Sequence, residues 1–154
     1  MHYYMTRTTP ISQIMTKKLE TIGTASSAQE AAKKMRDKNV SSLLVTDDFN
    51  DGKPIGIVTE RDLVRQVCVN DSSSKHTIIR VITSSPLVTV DATSSVEVAA
   101  DLMIQNKVRH LLVVEDDDIT KPLGIITPSD FTGYLKENLN VDDVNAKIIE
   151  SLKE

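Results

Sequence analysis

Two short segments of the sequence combine residue types that can hold a phosphorylated sugar. Each has a glycine, two aliphatic residues, a threonine, two variable residues and an aspartate, at residues 56–62 and 124–130. A strand that ends at a hydroxyl and leads into a helix presents free backbone amides and a positive dipole end, which suits a phosphate. A carboxylate one turn into that helix can accept hydrogen bonds from ribose hydroxyls. The predicted phosphate ligands are Thr59 and Thr127, and the predicted ribose ligands are Asp62 and Asp130.

The same pattern is also typical of a plain helix N-cap with a favourable acidic residue in the first turn. For a single copy, capping is the better interpretation. The glycine, which lets another backbone approach closely, and the recurrence at one offset in both copies favour a binding site. A duplicated segment inherits its caps as well as its sites, so both interpretations stay open.

The elements that must position these residues are themselves repeated. Residues 22–63 align with residues 90–131 without a gap, and about 16 of the pairs are identical. In each copy the hydrophobic period predicts a short strand, an amphipathic helix, two buried strands and a final helix. Capping-box patterns predict that the two amphipathic helices begin at Ser26 and Ser94. The predicted strands are residues 19–22, 42–45 and 55–58, and then 87–90, 111–114 and 123–126. The predicted fold class is therefore α+β, with two tandem βαββα units.

Composition limits the classes of function. The chain has 154 residues, of which 40% are hydrophobic and 3% aromatic, and a formal net charge of −4. It lacks an apolar run near the roughly 20 residues of a membrane span, and its first ten residues do not read as a secretion signal. The single cysteine, Cys68, cannot form an intramolecular disulfide, so a cytoplasmic location is expected. The acidic balance and the small number of aromatic rings argue against nucleic-acid binding.

The sequence does not predict an enzyme or a metal site. With one cysteine, three histidines and neither a nucleophile elbow nor a P-loop, it assembles no catalytic set and calls for no catalytic cofactor. His110 has no second His or Cys at metal-ligand spacing, so a structural role is the expected alternative to a zinc ligand. The acidic run at residues 115–118 is better interpreted as a solvated hairpin loop than as a magnesium site.

Together with the segments NVSSLLV (residues 39–45) and KVRHLLV (residues 107–113), the doubled pattern resembles the cystathionine-β-synthase (CBS) domain pair, or Bateman module. The resemblance covers roughly residues 11–135. It implies two motifs, 11–68 and 78–135, packed sheet to sheet with pseudo-twofold symmetry and joined by a linker at 69–77. It also implies two clefts, which in this family commonly take AMP, ADP, ATP or S-adenosylmethionine.

By this resemblance Thr59 and Asp62 serve one cleft, and Thr127 and Asp130 serve the other. The family also surrounds the adenine with the first strand and with the turn entering the second. In this family, basic residues in that turn often face the phosphate. The second copy has Arg109 and His110 there, whereas the first has serines, and Arg61 adds charge beside Asp62. The two clefts are therefore expected to differ in charge. The corresponding positions here are Thr21, Ile22, Val40, Ser41 and Ser42 in the first copy, and Thr89, Val90, Val108, Arg109 and His110 in the second.

The resulting functional hypothesis is a regulatory sensor of an adenine-containing ligand that acts through a homodimer or a separate effector protein. The alternatives are a structural dimerisation scaffold with empty clefts, or a module for S-adenosylmethionine, NAD or RNA. Residues 1–10 are interpreted as an N-terminal extension. Residues 136–154 are predicted to form an amphipathic helix through Val141, Val144, Ile148 and Leu152, which packs on its own domain or on a second copy.

Overall fold

Each half of the chain folds into a three-stranded sheet flanked by helices. The computed structural model describes residues 9–83, 87–138 and 148–153. After a 3-10 turn at Ile11–Gln13, the first half contains β1 (Thr21–Gly23), α1 (Ala28–Lys38), β2 (Ser42–Asp47), β3 (Lys53–Thr59) and α2 (Glu60–Leu63), which continues into a π-helical turn over Val64–Cys68. The second half contains α3 (Ile79–Ile82), β4 (Thr89–Asp91), α4 (Val96–Asn106), β5 (Leu111–Glu115), β6 (Asp118–Ile126) and α5 (Pro128–Asn138).

The two sheets have the same topology. In the first, β2 lies in the middle, parallel to β1 and antiparallel to β3. In the second, β5 takes the middle position between β4 and β6 in the same way. The predicted α+β class and the βαββα order of both halves are therefore confirmed.

The core lies in three layers because both faces of each central strand are buried. In β2, Leu43 and Val45 pack against the helices of the first half, whereas Leu44 faces the other sheet. In the same layer between the sheets, Leu112 and Val114 of β5 pack with Leu44. Strands covered on both faces read as continuous apolar runs, which explains why the sequence shows such runs there.

The amphipathic helices begin one residue later than the capping pattern predicted. Ser27, not Ser26, accepts a hydrogen bond from the Glu30 amide at 3.1 Å, and Ser95, not Ser94, accepts one from the Val98 amide at 3.2 Å. The prediction of Ser26 and Ser94 as caps was wrong because both residues belong to the turns before the helices. Their carbonyls accept hydrogen bonds from segments far along the chain.

Those distant segments are exchanged between the halves. The Ile11 amide donates to the Ser94 carbonyl at 2.9 Å, and the Ile79 amide donates to the Ser26 carbonyl at 2.8 Å. Ile11 is fully buried in the core of the second half, and Ile79 is fully buried in the core of the first. Each half is thus completed by a lead segment that comes before the other half in the sequence. Ile11–Gln13 completes the core of the second half, and α3 completes the core of the first.

The predicted C-terminal helix lies partly outside the described residues. Val141 and Val144 fall in the undescribed part. Residues 148–153 are helical, and within them Ile148 and Leu152 are 51% and 80% exposed. The prediction that this helix packs on its own domain or on a second copy stays a prediction.

Candidate ligand-binding cleft

The first strand-to-helix corner is a reciprocal capping box. Thr59, at the end of β3, accepts a hydrogen bond on Oγ1 from the Asp62 amide at 3.1 Å. In return, Asp62 Oδ2 accepts from the Thr59 amide at 2.9 Å and from the Thr59 hydroxyl at 3.0 Å. Capping is therefore present, and it also fixes the orientation of the carboxylate that the sequence singled out. The two interpretations of this motif are compatible.

The second corner is engaged by Thr16, which follows the lead segment Ile11–Gln13. Asp130 Oδ2 accepts from the Thr127 amide at 2.8 Å, and Asp130 Oδ1 accepts from the Thr16 hydroxyl at 3.0 Å. The Thr16 backbone also pairs with Ile125 through hydrogen bonds of 2.9 and 3.0 Å. Both carboxylate oxygens of Asp130 are thus hydrogen-bonded within the chain.

Gly124 allows this close approach. A Cβ atom at this position would lie 2.5 Å from the Thr16 carbonyl oxygen and 3.0 Å from Met15 Sδ. The second glycine of the repeated pattern therefore makes room for the chain's own backbone. Its role at this corner is to admit residues 15 and 16 against β6.

A cleft of about 500 Å³ lies where the first corner faces the second half. This volume is in the range of small-molecule sites. The first half contributes Ser41, Ile57, Thr59, Glu60, Arg61 and Asp62. The second half contributes Leu87 and Val88, which precede β4, and the turn from α4 to β5 at Lys107, Val108, Arg109 and His110. A ligand in this cleft would touch both halves at once.

The structure brings seven of the residues singled out in the sequence into this one cleft: Ser41, Thr59, Arg61, Asp62, Val108, Arg109 and His110. The others do not line it; they are Thr21, Ile22, Val40, Ser42, Thr89, Val90, Thr127 and Asp130. Ile22 and Val90 are buried in the two sheet–helix cores, where β1 and β4 pair with the central strands.

Sequence reasoning missed five residues of the cleft wall: Ile57, Glu60, Leu87, Val88 and Lys107. Glu60 lies inside the repeated motif between Thr59 and Arg61, and Lys107 directly precedes the predicted Val108, so naming each segment in full would have included both. Leu87 and Val88 lie in the strand predicted at residues 87–90, of which only Thr89 and Val90 were named as ligand contacts; as apolar residues they were interpreted as ordinary core.

His110 lies in the electrostatic field of both corners. Burial lowers the pKa of its imidazole below the ordinary value; the carboxylates of Asp62 and Asp130 act to raise that pKa, and Arg109 acts to lower it. Since burial is the largest of these effects, the ring is held in its neutral form near neutral pH. A neutral imidazole can donate one hydrogen bond and accept another.

This pKa shift predicts a pH-dependent loss of stability. The unfolded chain takes up a proton on His110 at the ordinary pKa of 6.5, whereas the folded protein resists protonation until a lower pH. The stability associated with neutral His110 is therefore fully present above pH 6.5 and is lost as the pH falls from there to the folded-state pKa. Replacement by serine, the residue at the equivalent position of the first copy (Ser42), should flatten this loss in urea unfolding measured between pH 7 and pH 5. Parallel pH profiles for both proteins would contradict the assignment.

Two kinds of feature are absent from the part of the chain that the structure describes. No three His, Cys, Asp or Glu side chains lie close enough together to hold a metal ion. Nor does any helix of residues 9–83, 87–138 or 148–153 have the length and apolar composition needed to cross a bilayer.

Comparison with known proteins places both halves in one family. A sequence model of the CBS domain matches residues 11–68 and again residues 79–137. An uncharacterized protein of Methanopyrus kandleri is 32% identical over 124 residues, which cover 80% of this chain and 61% of that protein, so this chain spans about three fifths of its relative. The crystal structure of an uncharacterized conserved protein from Pyrococcus horikoshii has a TM-score of 0.76 at 29% identity, covering 88% of this chain and 98% of that one. A CBS domain protein from Pyrobaculum aerophilum, complexed with AMP, has a TM-score of 0.68 at 25% identity, covering 79% of this chain and 89% of that one.

Proposed function

The chain belongs to the CBS domain family, as its sequence predicted, and from this premise we propose that it senses an adenine nucleotide in the cleft between its two halves. A CBS domain pair is a regulatory module. The observation that carries the proposal is the cleft itself, in which the Thr59–Asp62 corner of one half faces Arg109 and His110 of the other.

The chemistry of the cleft suits the parts of such a ligand. Ile57, Leu87 and Val88 offer apolar surface for the adenine. The carboxylate of Asp62, fixed by Thr59, accepts hydrogen bonds from the ribose, while Arg109 and Arg61 attract the phosphates. The AMP complex of the Pyrobaculum aerophilum relative supports this choice of ligand class.

Regulation follows from the position of the cleft between the halves. The proposal requires two arrangements of the halves, and a ligand that touches both halves favours the one in which all of its contacts form. The ligand shifts the population toward that arrangement by its difference in affinity for the two. We propose that the shift is transmitted through a homodimer or to a separate effector protein, and that the chain itself catalyses no reaction.

Thermal unfolding with a panel of ligands tests the proposal. AMP, ADP or ATP at 100 times its dissociation constant should stabilise the chain by about 2.7 kcal/mol, which raises the Tm of a protein of this size by about 5 to 10 °C. S-adenosylmethionine and NAD serve as adenine-containing comparisons. If none of the five compounds changes the Tm, nucleotide binding is contradicted and the chain is better described as a dimerisation scaffold.

A further inference from the structure

Lys107 occupies an unfavourable backbone conformation at the edge of the cleft. It ends α4 with φ 54°, in the left-handed region, where its amide donates to the Ile104 carbonyl at 3.3 Å. The equivalent residue of the first copy is Asn39, which ends α1 with the same φ of 54° and an equivalent 3.3 Å bond to the Arg36 carbonyl. Asparagine tolerates this conformation and lysine does so less well. The second copy therefore carries the less favourable residue at an otherwise identical helix end.

Lys107 is one of a set of cations in the cleft wall that the repeat does not duplicate. Three cations line the cleft, namely Arg61, Lys107 and Arg109. Each has an uncharged residue at the equivalent position of the other copy; these are Ser129, Asn39 and Ser41. No salt bridge within the described part of the chain involves any of the three cations. With neutral His110, the three cations outnumber the two carboxylates of the wall, Glu60 and Asp62.

We infer that Lys107 is a phosphate-binding residue that makes the cleft favour nucleoside di- and triphosphates over the monophosphate. The inference rests on the proposed function and narrows its ligand class. Each added phosphate brings negative charge toward cations that form no salt bridge among the described residues, and a charge-assisted hydrogen bond strengthens the contact. Lys107 lowers the stability of the C-terminal end of α4 and adds a cation to the cleft.

Replacing Lys107 with asparagine, the residue that the first copy already uses, separates these two effects. Lys107→Asn should weaken ATP binding about five- to tenfold, in the range for a partly exposed charge contact. It should leave the affinity for adenosine, which has no phosphate, unchanged. The Tm of the ligand-free protein should be unchanged or higher. Isothermal titration with ATP, ADP, AMP and adenosine measures the ratio of the affinities for ATP and adenosine. Lys107→Arg, which keeps the cation, should leave that ratio close to its original value.

The reverse substitution is the matched control. Asn39→Lys places the same side chain in the same conformation outside this cleft, so it should lower the Tm without changing the affinity for ATP. If Lys107→Asn weakens the binding of ATP and of adenosine equally, or changes the binding of neither compound, the assignment of Lys107 is overturned while nucleotide binding stands. If the unsubstituted chain binds neither compound, the proposed function itself fails.

Discussion

Asp62→Asn is expected to weaken adenine-nucleotide binding by about 10- to 100-fold. A ribose diol donates to a carboxylate through charge-assisted hydrogen bonds, and each such bond contributes about 1.5 to 3 kcal/mol. The amide of asparagine keeps one oxygen that can accept from the Thr59 amide, as Asp62 Oδ2 does now at 2.9 Å, so the helix cap persists. Isothermal titration gives the loss of affinity, and thermal unfolding of the ligand-free variant checks the fold.

The same substitution at the other corner is the control. Asp130 accepts from Thr16 and from Thr127, so Asp130→Asn should lower the Tm while leaving the affinity of the described cleft nearly unchanged. An Asp62→Asn protein that is folded and still binds nucleotide with the original affinity would show that this carboxylate does not hold the ribose.

Gly124→Ala is expected to lower the free energy of unfolding by about 2 to 4 kcal/mol. The new Cβ would lie 2.5 Å from the Thr16 carbonyl oxygen, a backbone atom that cannot rotate away. Overpacking of this kind costs about 1 to 3 kcal/mol, and displacing residue 16 also weakens its two backbone hydrogen bonds to Ile125. Urea unfolding measures the loss, which corresponds to a fall in Tm of about 10 °C.

Gly133→Ala is the matched control in the same half. Gly133 lies within α5, and a Cβ atom there would meet nothing within 4 Å. Alanine is a better helix former than glycine by about 0.5 to 1 kcal/mol, so this variant should be more stable than the original chain. Equal effects at Gly124 and Gly133 would mean that residues 15 and 16 are not held against β6.

Local patterns predicted most of the fold. The apolar run Leu43–Val45 and its repeat predict buried strands, because burial on both faces leaves a signal in the residues themselves; their central position in each sheet comes from the structure. The helix starts were misplaced by one residue because the signal there is ambiguous: Ser26 and Ser27 are adjacent serines, and Ser26 lies in the turn, where its carbonyl accepts a long-range hydrogen bond from the Ile79 amide. That contact joins segments that no local pattern connects.

The site was predicted in part for the same reason. The motif around Thr59 and Asp62 is local, so the sequence singled it out, and the structure places it in the cleft wall. The hydrogen bond from Thr16 to Asp130 joins residues that are 114 positions apart, and the local sequence around neither residue predicts it. The sequence predicted phosphate and ribose ligands at both corners and only a difference in charge between the clefts, whereas Thr16, which lies outside the aligned segments, engages the second corner.

The exchanged lead segments suggest where the two-part chain came from. If two separate copies of one βαββα unit traded the stretches that begin at Ile11 and Ile79, they would form a swapped symmetric dimer with the same buried contacts. Fusing those copies into one polypeptide removes the need for two molecules to meet. It also allows the two copies to diverge in sequence, so that Arg61, Lys107 and Arg109 are cations where the other copy has Ser129, Asn39 and Ser41.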